Sequence, residues 1–152
     1  MPDLPTQHTI LVIDAEEEFR LALADMLSTH YRVRTAVDGM DALDQITAAP
    51  AAIDLVITEL HMTRLDGMAL AEKICAEHPH IGIIMISAHG TIAVAVEALK
   101  SGIFDYITKP LHDDLHEIHV KCQQYFHTRD PQEQQDKRQK EILKLSYFPR
   151  SN

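Results

Sequence analysis

Long apolar runs are missing from this chain of 152 residues. None approaches the roughly 20 residues that a bilayer-spanning helix needs, so no membrane span is expected. The opening MPDLPTQHT has neither the basic nor the apolar region of a signal peptide, which makes a cytoplasmic location the default expectation. Cysteine is scarce. Cys75 and Cys122 lack the spacing of a metal pair and read as reduced, structural thiols. Positive charge is also in short supply: 14 Lys and Arg face 23 Asp and Glu, for a net charge of −9. That balance argues against non-specific nucleic-acid binding. It is unevenly spread, because the segment from Thr128 onward is +2 and leaves −11 on residues 1–127.

What is present is an ordinary apolar content of 45%, in a length that fits one domain with a proper core. Strand-like and helix-like patterns alternate five times. TILVI (9–13) is a continuous apolar run, and in the helix-like stretch after it Phe19, Leu23, Met26 and Leu27 share a face. YRVRTAV alternates with period two, and Asp38-Gly39 opens a helix through Ala48 with Asp38 as N-cap. IDLVIT is the third strand, and Asp66-Gly67 leads into a helix that ends before Pro79. IGIIMIS is the fourth strand, and the helix after it is capped by Thr91 and stopped by Ser101-Gly102. FDYIT and the helical HDDLHEIHVKCQQYF complete the series.

Such alternation predicts a parallel sheet covered on both faces, an α/β architecture. Active residues then collect beyond the carboxyl ends of the strands. Those ends carry Asp14, Thr58-Glu59, Ser87 and Lys109-Pro110. A charge such as Glu59 at the mouth of a core strand is costly unless it is paired or functional.

In order along the chain, ILVIDAEEEF, DLVITELHMTRLDG, MISAHGT and GIFDYITKP resemble the motifs of response-regulator receiver domains, the CheY-like modules of two-component signalling. The resemblance covers about residues 8–127 and is strongest to receivers of nitrogen-regulator-type activators. It implies a doubly wound, flavodoxin-like (βα)5 fold with sheet order 2-1-3-4-5. It implies a bacterial signalling protein whose partner is a histidine kinase or an effector. Residue by residue, it makes Asp14 an acid of the pocket, Ser87 the switch hydroxyl, Tyr106 the switch aromatic and Lys109 the phosphate-pairing lysine. It also makes the Lys109-Pro110 bond cis.

Three positions depart from the motif. Glu59 stands where the phosphoacceptor aspartate is expected, Ala15 replaces a metal-binding acid, and Thr63 replaces a loop proline. A Mg²⁺ site would rest on Asp14, Glu59 and the loop residue His61, weakened by Ala15, with Glu16 one residue along as a further acid. Glu59 reaches roughly 1.5 Å beyond an aspartate. Two readings stay open: Glu59 pairs with Lys109 and Ser87 as a partial mimic of phosphate, or it neutralises Lys109 in an inert site.

His112, His116 and His119 share a helical face, which a solvated surface explains as well as a metal does. Residues 128–152 read as a polar helical tail or linker with too few apolar residues for a core. The fourth helix, fifth strand and fifth helix, or the tail, are candidate surfaces for a homodimer. The expectation is an atypical, non-enzymatic receiver over residues 1–127, acting through protein contacts and binding neither nucleic acid nor membrane. The rivals are a Mg²⁺-dependent receiver that is still phosphorylated and the input fragment of a larger transcription activator.

Overall fold

Three continuous apolar runs build the centre of the sheet. In the computed structural model, which describes residues 7–109 and 115–129, these are β1 (Thr9–Ile13), β3 (Leu55–Glu59) and β4 (Gly82–Ser87). They are flanked by β2 (Arg32–Ala36) and β5 (Asp105–Thr108), in the order β2-β1-β3-β4-β5 with every pairing parallel. The helices are α1 (Glu17–Ser28), α2 (Gly39–Ala48), α3 (Gly67–Glu77), α4 (Ile92–Lys100) and α5 (His116–Arg129), with a short 3-10 turn at Pro50–Ala52. This is the expected flavodoxin-like fold and strand order. The chain divides into two compact units, Met1–Leu115 and His116–Asn152, and the second contributes α5 to the described residues.

Side-chain alternation along each strand sorts the core. Leu11, Ile13, Val56, Ile83 and Met85 form one cluster with Ala42 and Ile46 of α2, Leu70 and Ile74 of α3, and Ala98 of α4. Their neighbours Ile10, Val12, Leu55, Ile57, Ile84 and Ile86 are also buried and point to the other face. Leu23 and Leu27 of α1, which packs along β1 and β2, are fully buried outside that cluster. Phe19 and Met26 share their stripe but are only half-buried. At the sheet's edge β2 exposes Arg32, Arg34 and Thr35, so its period-two pattern belongs to a strand covered on one side.

The helix caps are local and legible. Asp38 accepts a hydrogen bond from the Asp41 amide at 2.8 Å, Asp66 from Ala69 at 2.9 Å and Thr91 from Val94 at 3.2 Å. Asp38 does more than cap α2. Arg64, in the loop after β3, places its Nε 2.9 Å from Asp38 Oδ2, and the Arg64 carbonyl accepts from Met40 N. Leu65, the one non-glycine described residue with positive φ (65°), follows directly. The loop is thereby tied to the start of α2.

Most boundaries shift by a residue or two from the sequence expectation, and two of the shifts bear on the site and on α5. β3 runs one residue further, so Glu59 is still a strand residue, paired with Ile86 of β4. α5 begins at His116, so His116 and His119 lie on it, whereas His112 is outside the described residues. The expected cis bond at Pro110 and the tail from residue 130 also lie outside them. On α5, Ile118, Cys122 and Tyr125 are the buried residues and recur on one face. Burial pushes the Cys122 thiol up to about 12, so it stays protonated and unreactive.

Replacing Asp38 by alanine removes a cap and the anchor of the Arg64 loop together. The expected loss is about 1 kcal/mol, since Arg64 is mostly solvated and its ion pair adds little. Urea unfolding should show a lower midpoint at an unchanged m-value.

Candidate functional site at the carboxyl ends of the strands

Parallel register brings the chemistry to one edge. Ile13 pairs with Thr58, Glu59 with Ile86 and Ser87 with Thr108. Asp14, Glu59, Ser87 and Lys109 therefore emerge at the same end of the sheet. The ladder continues past the last strand residues, with Asp14 N donating to Ala36 O at 3.2 Å and Lys109 N to Ser87 O at 2.9 Å.

Lys109 is the hub. Its Nζ lies 2.9 Å from Glu16 Oε2, 3.0 Å from Asp14 Oδ2 and 3.7 Å from Glu59 Oε2. The Phe19 ring stands 4.3 Å from the same nitrogen, in cation–π contact. The Lys109 side chain is 12% exposed, Asp14 5% and Glu59 10%, whereas Glu16 is 61% exposed. Asp14 is fixed from both sides. Its Oδ1 accepts from Glu16 N at 2.9 Å, and its carbonyl accepts from the Arg20 guanidinium at 2.8 Å.

Glu59 is poorly served by comparison. Its Oε1 accepts a long bond of 3.5 Å from His61 N, and its Oε2 is buried with no hydrogen-bond partner. Burial pushes the Glu59 carboxyl above its ordinary range; Lys109 pulls it back and Asp14 adds to the rise. Lys109 is raised too. Burial works to lower it but is outweighed by hydrogen bonds to Glu16 and Asp14 and by the charges of Asp14 and Glu59. Three carboxylates surround one ammonium, and Glu59, the one with a buried and unpartnered oxygen, is the one that burial pushes up.

The other anticipated residues stand apart from this knot. Ser87 Oγ accepts from the His89 amide at 3.3 Å. Tyr106 is half-buried against the core cluster, with its hydroxyl buried and unpartnered. It fits because residue 90 is glycine: a Cβ there would collide with Tyr106 Oη. A similar close approach seats α3, where a Cβ at Gly67 would meet the Glu59 carbonyl oxygen. Phe19 and Gly90 were not anticipated as site residues. The sequence hint for Phe19 was its place next to the acidic run, within reach of a strand-end cation.

The donor set does not fit Mg²⁺. The ion requires near-octahedral oxygen ligands. Here Asp14 Oδ2 and Glu16 Oε2 are engaged by the ammonium, residue 15 offers a methyl group, and Glu59 supplies one unengaged oxygen. Among the described residues, no group of three His, Cys, Asp or Glu is placed to hold a metal ion. His61 is exposed, and its amide donates to Glu59 at 3.5 Å.

The response regulator receiver domain, as a protein family, matches residues 10–121. The chain belongs to this family. This receiver is 39% identical over 108 residues to the nitrogen assimilation regulatory protein NtrX of Azorhizobium caulinodans, a match covering 70% of this chain and 24% of that protein. It thus spans about a quarter of that relative's length. Among solved structures, the receiver domain of NtrX from Brucella abortus is 37% identical with a TM-score of 0.63, over 74% of this chain and 94% of that one. A response regulator receiver domain protein from Clostridium thermocellum matches with a TM-score of 0.74 at 28% identity, over 80% of this chain and 96% of that one. The receiver is therefore a two-component signalling domain with NtrX-type relatives, as the motifs implied.

Two outcomes test the site. The raised Glu59 carboxyl means the folded state holds a proton that the unfolded chain has released. Stability from this group is full below the ordinary carboxylate range near 4.5 and is lost as pH rises through the folded value. Glu59→Gln removes that dependence, so its stability relative to wild type should increase with pH in that window, as denaturation at a series of pH values would reveal. Gly90→Ala should cost about 1–3 kcal/mol by overpacking the Tyr106 ring, and Tyr106→Leu in the same chain should recover most of the loss in urea unfolding.

Proposed function

We propose that this receiver is a non-enzymatic signalling module working through protein contacts, without conventional phosphorylation of an aspartate. Glu59 takes the acceptor position in this reading. The observation that carries it is the Lys109 ammonium, already engaged by Asp14, Glu16 and Glu59 in a pocket whose donors do not suit Mg²⁺. Glu59 also reaches roughly 1.5 Å further than an aspartate. Misplacing a reacting atom by about 1 Å costs on the order of 100-fold in rate.

Of the two roles for Glu59, the inert one has better support. Its 3.7 Å separation from Lys109 exceeds hydrogen-bond range, and Ser87 bonds to the His89 amide. Driving a switch from 1:99 to 99:1 takes about 5.5 kcal/mol, well beyond such a contact. The partners are a histidine kinase or an effector, with a second copy as an alternative. Ile92, Val96 and Leu99, exposed on one face of α4, support a protein-contact role. No helix among the described residues is long and apolar enough to cross a membrane, and a cytoplasmic site of action accords with that. The functional domain is residues 1–127, with 128–152 as a tail or linker.

Intact-mass measurement after incubation with Mg²⁺ and acetyl phosphate tests the reading. Wild type should remain unmodified. Glu59→Asp gains a phosphoryl group if Glu59 alone disables the site, and stays unmodified if the loss at Ala15 suffices. A phosphorylated wild type would overturn the proposal.

A further inference from the structure

The three carboxylates on Lys109 are not equivalent. Asp14 and Glu59 are buried, with side chains only 5% and 10% exposed. Glu16 makes the shortest contact, 2.9 Å, yet its side chain is 61% exposed. Its main chain is anchored, because its amide donates to Asp14 Oδ1 at 2.9 Å. The side chain has no second commitment: Glu16 sits at the N-cap of α1 but makes no side-chain capping bond. The helix start does not depend on it, since Glu17 and Glu18 in the first turn supply the negative charge that a helix N-terminus favours. Lys109 is thus contacted by Asp14, Glu59 and the Phe19 ring on buried sides, and by one exposed carboxylate, Glu16, toward solvent.

We propose that Glu16 is a positioning residue that latches the pocket: its carboxylate covers the Lys109 ammonium, and its release opens Lys109 to solvent and to incoming oxyanions. The proposal goes beyond the functional reading above, because it holds whether or not Glu59 ever accepts a phosphoryl group. An exposed ion pair is weak and screened by salt over about 8 Å at physiological ionic strength. The latch therefore opens readily, and its removal changes the exposure of Lys109 about two- to five-fold.

Site-resolved acylation of the folded full chain with a water-soluble amine-reactive ester, read by peptide mass spectrometry at fixed pH, tests this. Lys73 on α3 and Lys100 on α4, both exposed, serve as internal references. Glu16→Gln should raise the relative labelling rate of Lys109 about two- to five-fold. Glu17→Gln, one residue along, should leave it at the wild-type rate. In wild type the relative rate at Lys109 should climb with added sodium chloride, and in Glu16→Gln that climb should vanish. Equal labelling in wild type and Glu16→Gln would overturn the latch, as would an equal effect of Glu17→Gln. Should the Glu16 variant not fold, the wild-type salt response decides alone, and a flat response counts against the proposal. The readout is separate from phosphoryl uptake, so either result stands apart from the acetyl phosphate experiment.

Discussion

A single ammonium gathers the end of this sheet. Lys109 follows β5, Asp14 follows β1 and Glu59 ends β3, so the contacts at its Nζ tie together three strands that the backbone alone joins only by neighbour-to-neighbour pairing. Removing the cation would leave buried carboxylates facing one another with nothing between them, a far larger penalty than losing an exposed pair. Glu16 reaches in from the helix start to complete the set of carboxylates around the lysine.

The accommodation has an asymmetry. The Asp14 carboxylate accepts from the Glu16 amide and the Lys109 ammonium, whereas Glu59 Oε2 is buried without a hydrogen-bond partner, so the cost of burying charge falls mainly on Glu59. The inward Tyr106 is wedged over Gly90: its ring occupies a space that any other residue at position 90 would close.

Sequence reasoning reached the fold because its signals are local. Continuous apolar runs marked β1 and β4, and Asp38 and Thr91 announced helix starts that the structure reproduces. The strand-end cluster was legible too, since a parallel sheet delivers those ends to one edge regardless of detail. What escaped were contacts across long separations. Glu16 and Lys109 are 93 residues apart, and no pattern in either segment says which of the neighbouring acids will turn toward the lysine. Phe19 lay on the expected apolar face of α1, yet its ring contacts the Lys109 ammonium, 90 residues away along the chain. The fit of Tyr106 over Gly90 is equally invisible along the chain, as it depends on the β4–α4 loop folding back over β5.

The arginines of β2 carry a consequence beyond packing. An open sheet has two borders, and a border strand offers unpaired amide and carbonyl groups to any extended chain that comes near. On β2, Arg32 and Arg34 stand exposed along that border. A second β2 aligned against it would set guanidinium groups against guanidinium groups, so lateral growth into a continuous intermolecular sheet is opposed at this rim. The rim at β2 is thereby made a poor template for an added strand by two residues that take no part in the pocket at all.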